Sequence, residues 1–183
     1  MNPGPAELRA DAIVDFARDL VAIPTENPPG AAYDECVERI CSELEGLAID
    51  HEVVQTGDED TSRHAILASV GDRGPLLYLH GHYDVVPAFS AAQFDPRVED
   101  GRLVGRGASD MKGGLAAIVH VARPAAEAGA RIGLVIVPDE ETGGRLGGER
   151  LAQLDRLDRS AAGAIVAEPT WARSGTPAGA PSP

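Results

Sequence analysis

The stretch LHGHYDVVP, residues 79–87, places two histidines and an aspartate within five positions, directly after an apolar run. Histidines two positions apart on a strand point to the same side of it. Titratable groups at the end of an apolar strand indicate either a polar turn or the rim of a site. Other acidic groups lie just after predicted strands or just before a predicted helix, and these are Asp110, Glu140, Glu141 and Glu168.

Alternating helices and strands are predicted from the apolar periodicity of the chain. The predicted helices cover residues 5–22, a segment with Asp34 as its N-cap, residues 111–128 with a break near Pro124, and residues 147–157. The predicted strands are HEVVQT, HAILASV, LLYLH, RIGLVIVP and AAGAIVAEP, and RVEDGRLVG is typical of a hairpin. This alternation predicts an α/β fold with a mixed, largely parallel sheet flanked by helices.

The placement of these groups indicates a metal site. In an open α/β sheet, ligands bind outside the carboxyl ends of the strands, so groups from four segments are expected to meet at one rim. Carboxylates that lie close together repel one another when they are ionised, and a bound divalent cation offsets this repulsion. Imidazole together with carboxylate oxygens suits zinc, with cobalt or manganese as alternatives. Each motif alone is more typical of polar surface, and the shared placement at strand ends is what favours a site.

Four motifs then identify a family. GHYDVVP, GRGASDMKGG, PDEETGG and AEPT, in this order, strongly resemble the dinuclear zinc amidohydrolases and peptidases, which include acetylornithine deacetylase, succinyl-diaminopimelate desuccinylase, aminoacylase and carboxypeptidase G. The early stretch VAIPTENPPG also resembles the N-terminal loop of that group. The resemblance covers roughly residues 8–170. It implies a zinc-peptidase-like fold and a hydrolase of amide bonds, either an N-acyl-amino-acid deacylase or a dipeptidase-like enzyme, acting on a small N-acyl amino acid or peptide.

The resemblance also implies a role for each motif residue. The metal ligands of a site with two zinc ions would be His82, Asp110, Glu141 and Glu168. Asp110 resembles the carboxylate that bridges both ions, and Asp84 the one that orients the imidazole. Glu140 resembles the general base, which takes a proton from metal-activated water. His80 could face the site, but a role in packing or hydrogen bonding is favoured.

Other classes of function are disfavoured. GRGASDMKGG lacks the spacing of a phosphate-binding loop and does not follow a clear strand. The formal net charge of −13 argues against nucleic acid and anionic membranes as partners. The chain has no long apolar run and no signal-peptide core in its first 25 residues. With Cys36 and Cys41 interpreted as free thiols in a reducing compartment, this predicts a cytoplasmic protein.

The domain prediction assigns residues 1–170 to the N-terminal segment of a catalytic domain and residues 171–183 to a disordered or foreign tail. The resemblance implies three further parts that we expect to be absent: a lid or dimerisation domain, a C-terminal catalytic segment, and a final histidine ligand. We therefore expect an incomplete catalytic domain with low or no activity, and a homodimer only through the lid. The alternatives are a non-catalytic metal-binding fragment and a plain α/β domain with an acidic rim.

Overall fold

A mixed five-stranded sheet organises the part of the chain that the computed structural model describes, which is residues 8–58 and 61–170. In chain order the elements are α1 (Ala10–Ala22), α2 (Tyr33–Gly46), β1 (His51–Gln55), β2 (His64–Val70), β3 (Leu76–His82), β4 (Arg97–Glu99), β5 (Arg102–Val104), α3 (Gly113–Glu127), β6 (Arg131–Val137), α4 (Gly148–Gln153) and β7 (Gly163–Val166). Short helical turns occur at Ala91–Phe94, Ala108–Lys112 and Glu140–Thr142.

The strands of the sheet lie in the order β1-β2-β6-β3-β7. β2 pairs antiparallel with β1 and β6, whereas β3 pairs parallel with both β6 and β7. The predicted mixed sheet flanked by helices is therefore confirmed. His82 at the end of β3 lies opposite Val137 at the end of β6. Because the carboxyl ends of parallel strands meet at one edge, the segments that follow β3, β6 and β7 emerge together there.

Two apolar clusters pack against opposite faces of the sheet, since alternate residues of a strand point to opposite sides. On one face, helices α1, α2 and α3 pack against residues such as Ile66, Leu79 and Leu134. On the other face, Leu151 of α4 packs with Val135. β6 has six of its seven residues buried because it is covered on both faces, which explains its nearly continuous run of Val, Ile and Leu.

The predicted hairpin is present as β4 and β5, which pair antiparallel. Its turn residues Asp100 and Gly101 have φ values of 50° and 74°. A two-residue hairpin turn of this kind needs positive φ at both positions, which favours Asp-Gly.

The first two helices begin at residues other than the predicted ones. α1 begins at Ala10 instead of residue 5, and residues 5–7 lie outside the described part of the chain. Asp34 is not the N-cap of α2, because Ala32 with a φ of 50° holds that position and Asp34 lies in the first turn. The Asp34 carboxylate instead accepts a hydrogen bond from Ser62 Oγ at 2.5 Å, so a contact distant in sequence overrides the local capping preference.

α3 continues to Glu127 without the predicted break at Pro124. Pro124 lies in the last turn, so its missing N–H removes a single backbone bond, and the helix still closes through Ala128 N to Pro124 O at 3.0 Å. The helix begins at Gly113 instead of residue 111, because residues 108–112 form a separate turn. α4 ends at Gln153, before the predicted end at residue 157.

The prediction of a disordered or foreign tail over residues 171–183 lies outside the described residues. Within the two described ranges, no helix is both long enough and apolar enough to cross a membrane.

Candidate metal centre

His82 is the last residue of β3, and its side chain is wholly buried. Its Nδ1 faces Asp84, whose backbone oxygen lies 3.0 Å away and whose Oδ1 lies 3.3 Å away. The other ring nitrogen, Nε2, is buried without a hydrogen-bond partner among the described residues. It faces Glu168 Oε1 at 3.3 Å, Asp110 Oδ1 at 3.4 Å and Glu140 Oε2 at 3.8 Å. A divalent cation would satisfy this nitrogen and the carboxylates together.

Two overlapping groups of side chains have the spacing of a metal site. One consists of His82, Glu140 and Glu168, and the other of His82, Asp110 and Glu141. In each group the candidate ligand atoms all lie within 4.8 Å of one another. The structure thus places Asp110, Glu140 and Glu168 around one imidazole nitrogen and brings Glu141 into the same cluster of candidate ligands.

The carboxylate side of this centre is open to solvent, whereas the imidazole side is closed. The side chains of Asp110 and Glu140 are 55% and 48% exposed, and that of Glu168 is 31% exposed. His82 and Asp84 have no exposed surface. A small molecule can therefore approach from the carboxylate side only.

Asp84 is buried behind the imidazole and belongs to neither group of ligand atoms. Its Oδ2 accepts hydrogen bonds from Asn27 Nδ2 at 2.9 Å and Glu141 N at 3.1 Å, and its Oδ1 accepts one from Glu140 N at 3.2 Å. Burial alone would raise the pKa of Asp84, but hydrogen bonds from His82 and Asn27 outweigh it and hold the pKa below its ordinary value. An ionised Asp84 fixes the tautomer and the orientation of the imidazole.

The turn after β6 presents Glu140 and Glu141 to the site. It begins at Asp139, whose φ of 68° reverses the chain, and Gly144 N closes it by donating to Asp139 O at 2.7 Å. The backbone N–H groups of both glutamates donate to Asp84. The turn is thereby held against the same carboxylate that orients His82.

The loop before α3 positions Asp110 through its two following residues. The peptide bond between Asp110 and Met111 is cis. Met111 is buried, and its Sδ accepts a hydrogen bond from the backbone N–H of His82 at 3.3 Å. Lys112 is wholly buried, and its Nζ donates to two backbone oxygens at the end of α1, at 2.7 and 2.8 Å. A cation at a helix C-terminus is favourable, so the loop is anchored to both β3 and α1.

Burial and crowding disfavour negative charge on two of the carboxylates, Glu141 and Glu168. Burial raises the pKa of Glu141, and burial together with Asp110 raises the pKa of Glu168 against the attraction of His82. Burial disfavours the charged imidazole too, but the hydrogen bond and charge of Asp84, with the charge of Glu168, raise the pKa of His82 to about 9. A cation bound at Nε2 would replace that proton and neutralise the crowded carboxylates.

Asn27 contributes to the site although no motif assigned it a role. It lies in the loop between α1 and α2, is buried, and its Nδ2 contacts Asp84, Asp139 and Thr142. The signal that could have identified it is the resemblance of VAIPTENPPG to the N-terminal loop of the family. The resemblance assigned this loop to the family without indicating that any of its side chains enters the site.

His80 lies two residues before His82 on the same side of β3, but it belongs to neither group of ligand atoms. Its Nδ1 is buried without a hydrogen-bond partner among the described residues. Burial, followed by the charge of His82, lowers the pKa of His80. His80 is therefore a neutral neighbour of the centre, outside both sets of ligand atoms.

Solved structures of peptidases share this fold. Human carnosine dipeptidase 1 has a TM-score of 0.71 over 85% of this chain and 38% of its own chain, at 24% sequence identity. The di-peptidase Dug1p of Saccharomyces cerevisiae has a TM-score of 0.70 over 84% of this chain and 37% of its own, at 17% identity. At these identities the likeness shows the fold alone, which is a mixed α/β fold.

Sequence relatives narrow the class to one family. The model of peptidase family M20/M25/M40 matches residues 78–180, more than half of the chain. Succinyl-diaminopimelate desuccinylase of Methylobacillus flagellatus is 39% identical over 142 residues, which are 70% of this chain and 35% of that protein. The desuccinylase of Rhodospirillum centenum is 38% identical over 178 residues, which are 88% of this chain and 44% of that protein.

The chain belongs to peptidase family M20/M25/M40. The resemblance inferred from the four motifs is thereby confirmed. The chain spans less than half of the length of both desuccinylases.

Proposed function

We propose that this chain forms the metal-binding part of a hydrolase that cleaves the amide bond of N-acyl amino acids. The observation behind the proposal is the buried Nε2 of His82, which faces the carboxylates of Asp110, Glu140 and Glu168. The family supports amide hydrolysis, because the relatives named above are desuccinylases. An N-succinyl amino acid is the first substrate to test, and a dipeptide is the alternative that the structural neighbours suggest.

Zinc is the proposed metal, with two ions per site and with cobalt or manganese as alternatives. His82 and Glu168 would hold one ion, Glu141 would hold the other, and Asp110 would contact both. Distances support this assignment, because Glu168 Oε1 and Asp110 Oδ1 lie 3.3 and 3.4 Å from His82 Nε2, and Asp110 and Glu141 offer ligand atoms within 4.8 Å of each other. The bound metal would supply a Lewis acid, which lowers the pKa of water and polarises a carbonyl group.

Glu140 is the proposed general base. Its Oε2 lies 3.8 Å from His82 Nε2, farther than the oxygens of Asp110 and Glu168. Its side chain is exposed on the open side of the centre, and its backbone N–H is held by Asp84. Glu140 belongs to one of the two groups with metal-site spacing but is left out of the proposed ligand set. As an unligated carboxylate it can accept a proton from water at Oε2 and pass it to the departing amine.

Elemental analysis of the purified chain tests the metal site. We expect about one zinc ion or more per chain in the parent and a loss of zinc in Asp110→Ala. Glu149→Ala is the matched control, because it removes an exposed carboxylate of α4 and should leave the zinc content unchanged. A parent chain without metal would contradict the proposal.

Turnover distinguishes a hydrolase from a metal-binding protein without catalysis. Release of succinate from N-succinyl amino acids should fall at least about 100-fold in Glu140→Gln, while the zinc content stays the same. Equal rates in the two proteins would exclude Glu140 as the base. Bound zinc without turnover in the parent would favour the non-catalytic alternative.

A further inference from the structure

The amide of Asn27 lies between two parts of the candidate metal centre. Its Nδ2 lies 2.9 Å from Asp84 Oδ2, 3.1 Å from Asp139 Oδ1 and 3.0 Å from Thr142 Oγ1. Ionised aspartates can only accept hydrogen bonds, so the amide nitrogen and not the amide oxygen faces them. Asn27 is buried, and these contacts are therefore shielded from water.

The two aspartates belong to segments that arrive from different strands. Asp84 follows β3 and orients the imidazole of His82. Asp139 follows β6 and begins the turn that presents Glu140 and Glu141. A carboxamide has two N–H donors, so one side chain can serve both aspartates at once. Asn27 thus links the imidazole side of the centre to the carboxylate side.

The loop that contains Asn27 is itself anchored. Asn27 N donates to Val85 O at 2.8 Å, and Val85 N donates to Thr25 O at 2.9 Å. Two residues farther along, Pro29 O accepts a hydrogen bond from the buried Arg63 Nη2 at 2.7 Å. These bonds fix the backbone on both sides of Asn27, so its amide is held in place before any ligand binds.

We propose that Asn27 is a positioning residue, which sets the separation between His82 and the Glu140–Glu141 turn before a metal ion arrives. The inference rests on the proposed function for the identity of the metal ligands, whereas the contacts of Asn27 stand without it. Loss of the two donors removes the bonds that join Asp84 to Asp139, so the turn moves away from Asp84, while Asp139 keeps its contact with Arg63 Nε at 3.5 Å. The ligands must then be rearranged when the metal binds, which lowers the affinity.

Hydrogen exchange of the metal-free chain tests the positioning directly. The backbone amides of Glu140 and Glu141 donate to Asp84, so their exchange rates report whether the turn stays against it. In Asn27→Leu, which has a similar volume and no donor, both amides should exchange about tenfold faster than in the parent. Thr25→Val is the matched control, because it removes a buried hydrogen bond of the same loop, from Thr25 Oγ1 to Tyr83 O. It should leave the two exchange rates unchanged.

Titration with Co²⁺ tests the consequence for the metal. Asn27→Leu should bind Co²⁺ about tenfold more weakly with an altered visible absorption spectrum, while Thr25→Val stays within about twofold of the parent. A purely structural role would lower the thermal stability of both variants and leave the Co²⁺ spectrum and affinity alike in both, which would overturn the proposal. A parent that binds no Co²⁺ would contradict the proposed function, and the exchange rates would then decide the role of Asn27.

Asn27→Ser covers the case in which Asn27→Leu does not fold. Serine keeps a polar group at this buried position but has one donor in place of two, so it cannot serve both aspartates. We expect the amides of Glu140 and Glu141 to exchange about threefold faster than in the parent. Unchanged exchange in Asn27→Leu, or in Asn27→Ser where the first variant does not fold, overturns the proposal.

Discussion

β3 and β7 lie side by side in the sheet, and each leads to a candidate metal ligand, yet the sheet holds them differently. β3 pairs with both β6 and β7, and its last residue, His82, is wholly buried. Among the described strands, β7 pairs with β3 alone, and all of its residues are exposed. Glu168 lies two residues beyond its end. The centre therefore combines an imidazole that is buried in the core with a carboxylate that follows an exposed strand at the edge of the described sheet.

The largest effect expected from this difference is on stability. Leu79 of β3 and Ile165 of β7 are register partners, so they form a matched pair. Leu79 is buried, and Leu79→Ala should lower the free energy of unfolding by about 2–5 kcal/mol. Ile165 is 52% exposed, and Ile165→Ala should lower it by less than about 1 kcal/mol. Urea denaturation of both variants measures the difference, and equal losses would show that β7 is as firmly packed as β3.

The second-largest effect is expected on zinc affinity, through His82 at the end of β3 and Glu168 just after β7. His82→Ala should weaken zinc binding by more than about 100-fold, and Glu168→Gln by about tenfold. The reason is that His82 is the single imidazole in both groups of candidate ligand atoms, whereas other carboxylates of these groups remain when Glu168 is changed. Competition titration with a chromophoric zinc chelator measures both affinities. A larger loss in Glu168→Gln than in His82→Ala would reverse the comparison.

In the metal-free chain, Glu168→Gln should increase the free energy of unfolding, although it weakens zinc binding. Burial and the charge of Asp110 raise the pKa of Glu168, so ionising it costs stability above the folded-state pKa. As the pH falls, Glu168 takes up a proton in the folded chain around its raised pKa, and the cost decreases. The cost is absent below the ordinary pKa of 4.5. Because the side chain is partly exposed, we expect a gain of less than about 1 kcal/mol at pH 7.

Thermal unfolding in the presence of EDTA measures this gain at two pH values. Glu168→Gln should unfold at a higher temperature than the parent at pH 7 and at the same temperature near pH 4. Glu149→Gln is the control for losing a negative charge elsewhere. A gain of the same size at both pH values would show that the effect does not come from ionisation of Glu168.

The elements of this fold also show how much of it the sequence could predict. Local patterns identify β3 and β6 from apolar runs and the hairpin from Asp100 and Gly101, because these signals depend on neighbouring residues. The motifs brought His82 and the carboxylates together for the same reason, since these residues lie at or just after the end of a recognisable strand or, for Asp110, just before a recognisable helix. The side chain of Asn27 meets partners 57–115 residues away, and no local pattern encodes such contacts.

The smallest stability effect is expected at the edge of β7 that pairs with no described strand, where we expect the change to alter self-association instead. An edge strand with unpaired backbone groups can pair with a second copy of the chain, and a lysine on the edge opposes this. Val166 is 51% exposed, so Val166→Lys should change the free energy of unfolding by less than about 0.5 kcal/mol while it reduces light scattering at high concentration. Val98→Lys is the matched control, because Val98 is 53% exposed in the separate hairpin and the added charge is identical. An equal reduction of light scattering in both variants would attribute the effect to net charge. A reduction in Val166→Lys alone would show that the chain self-associates through β7.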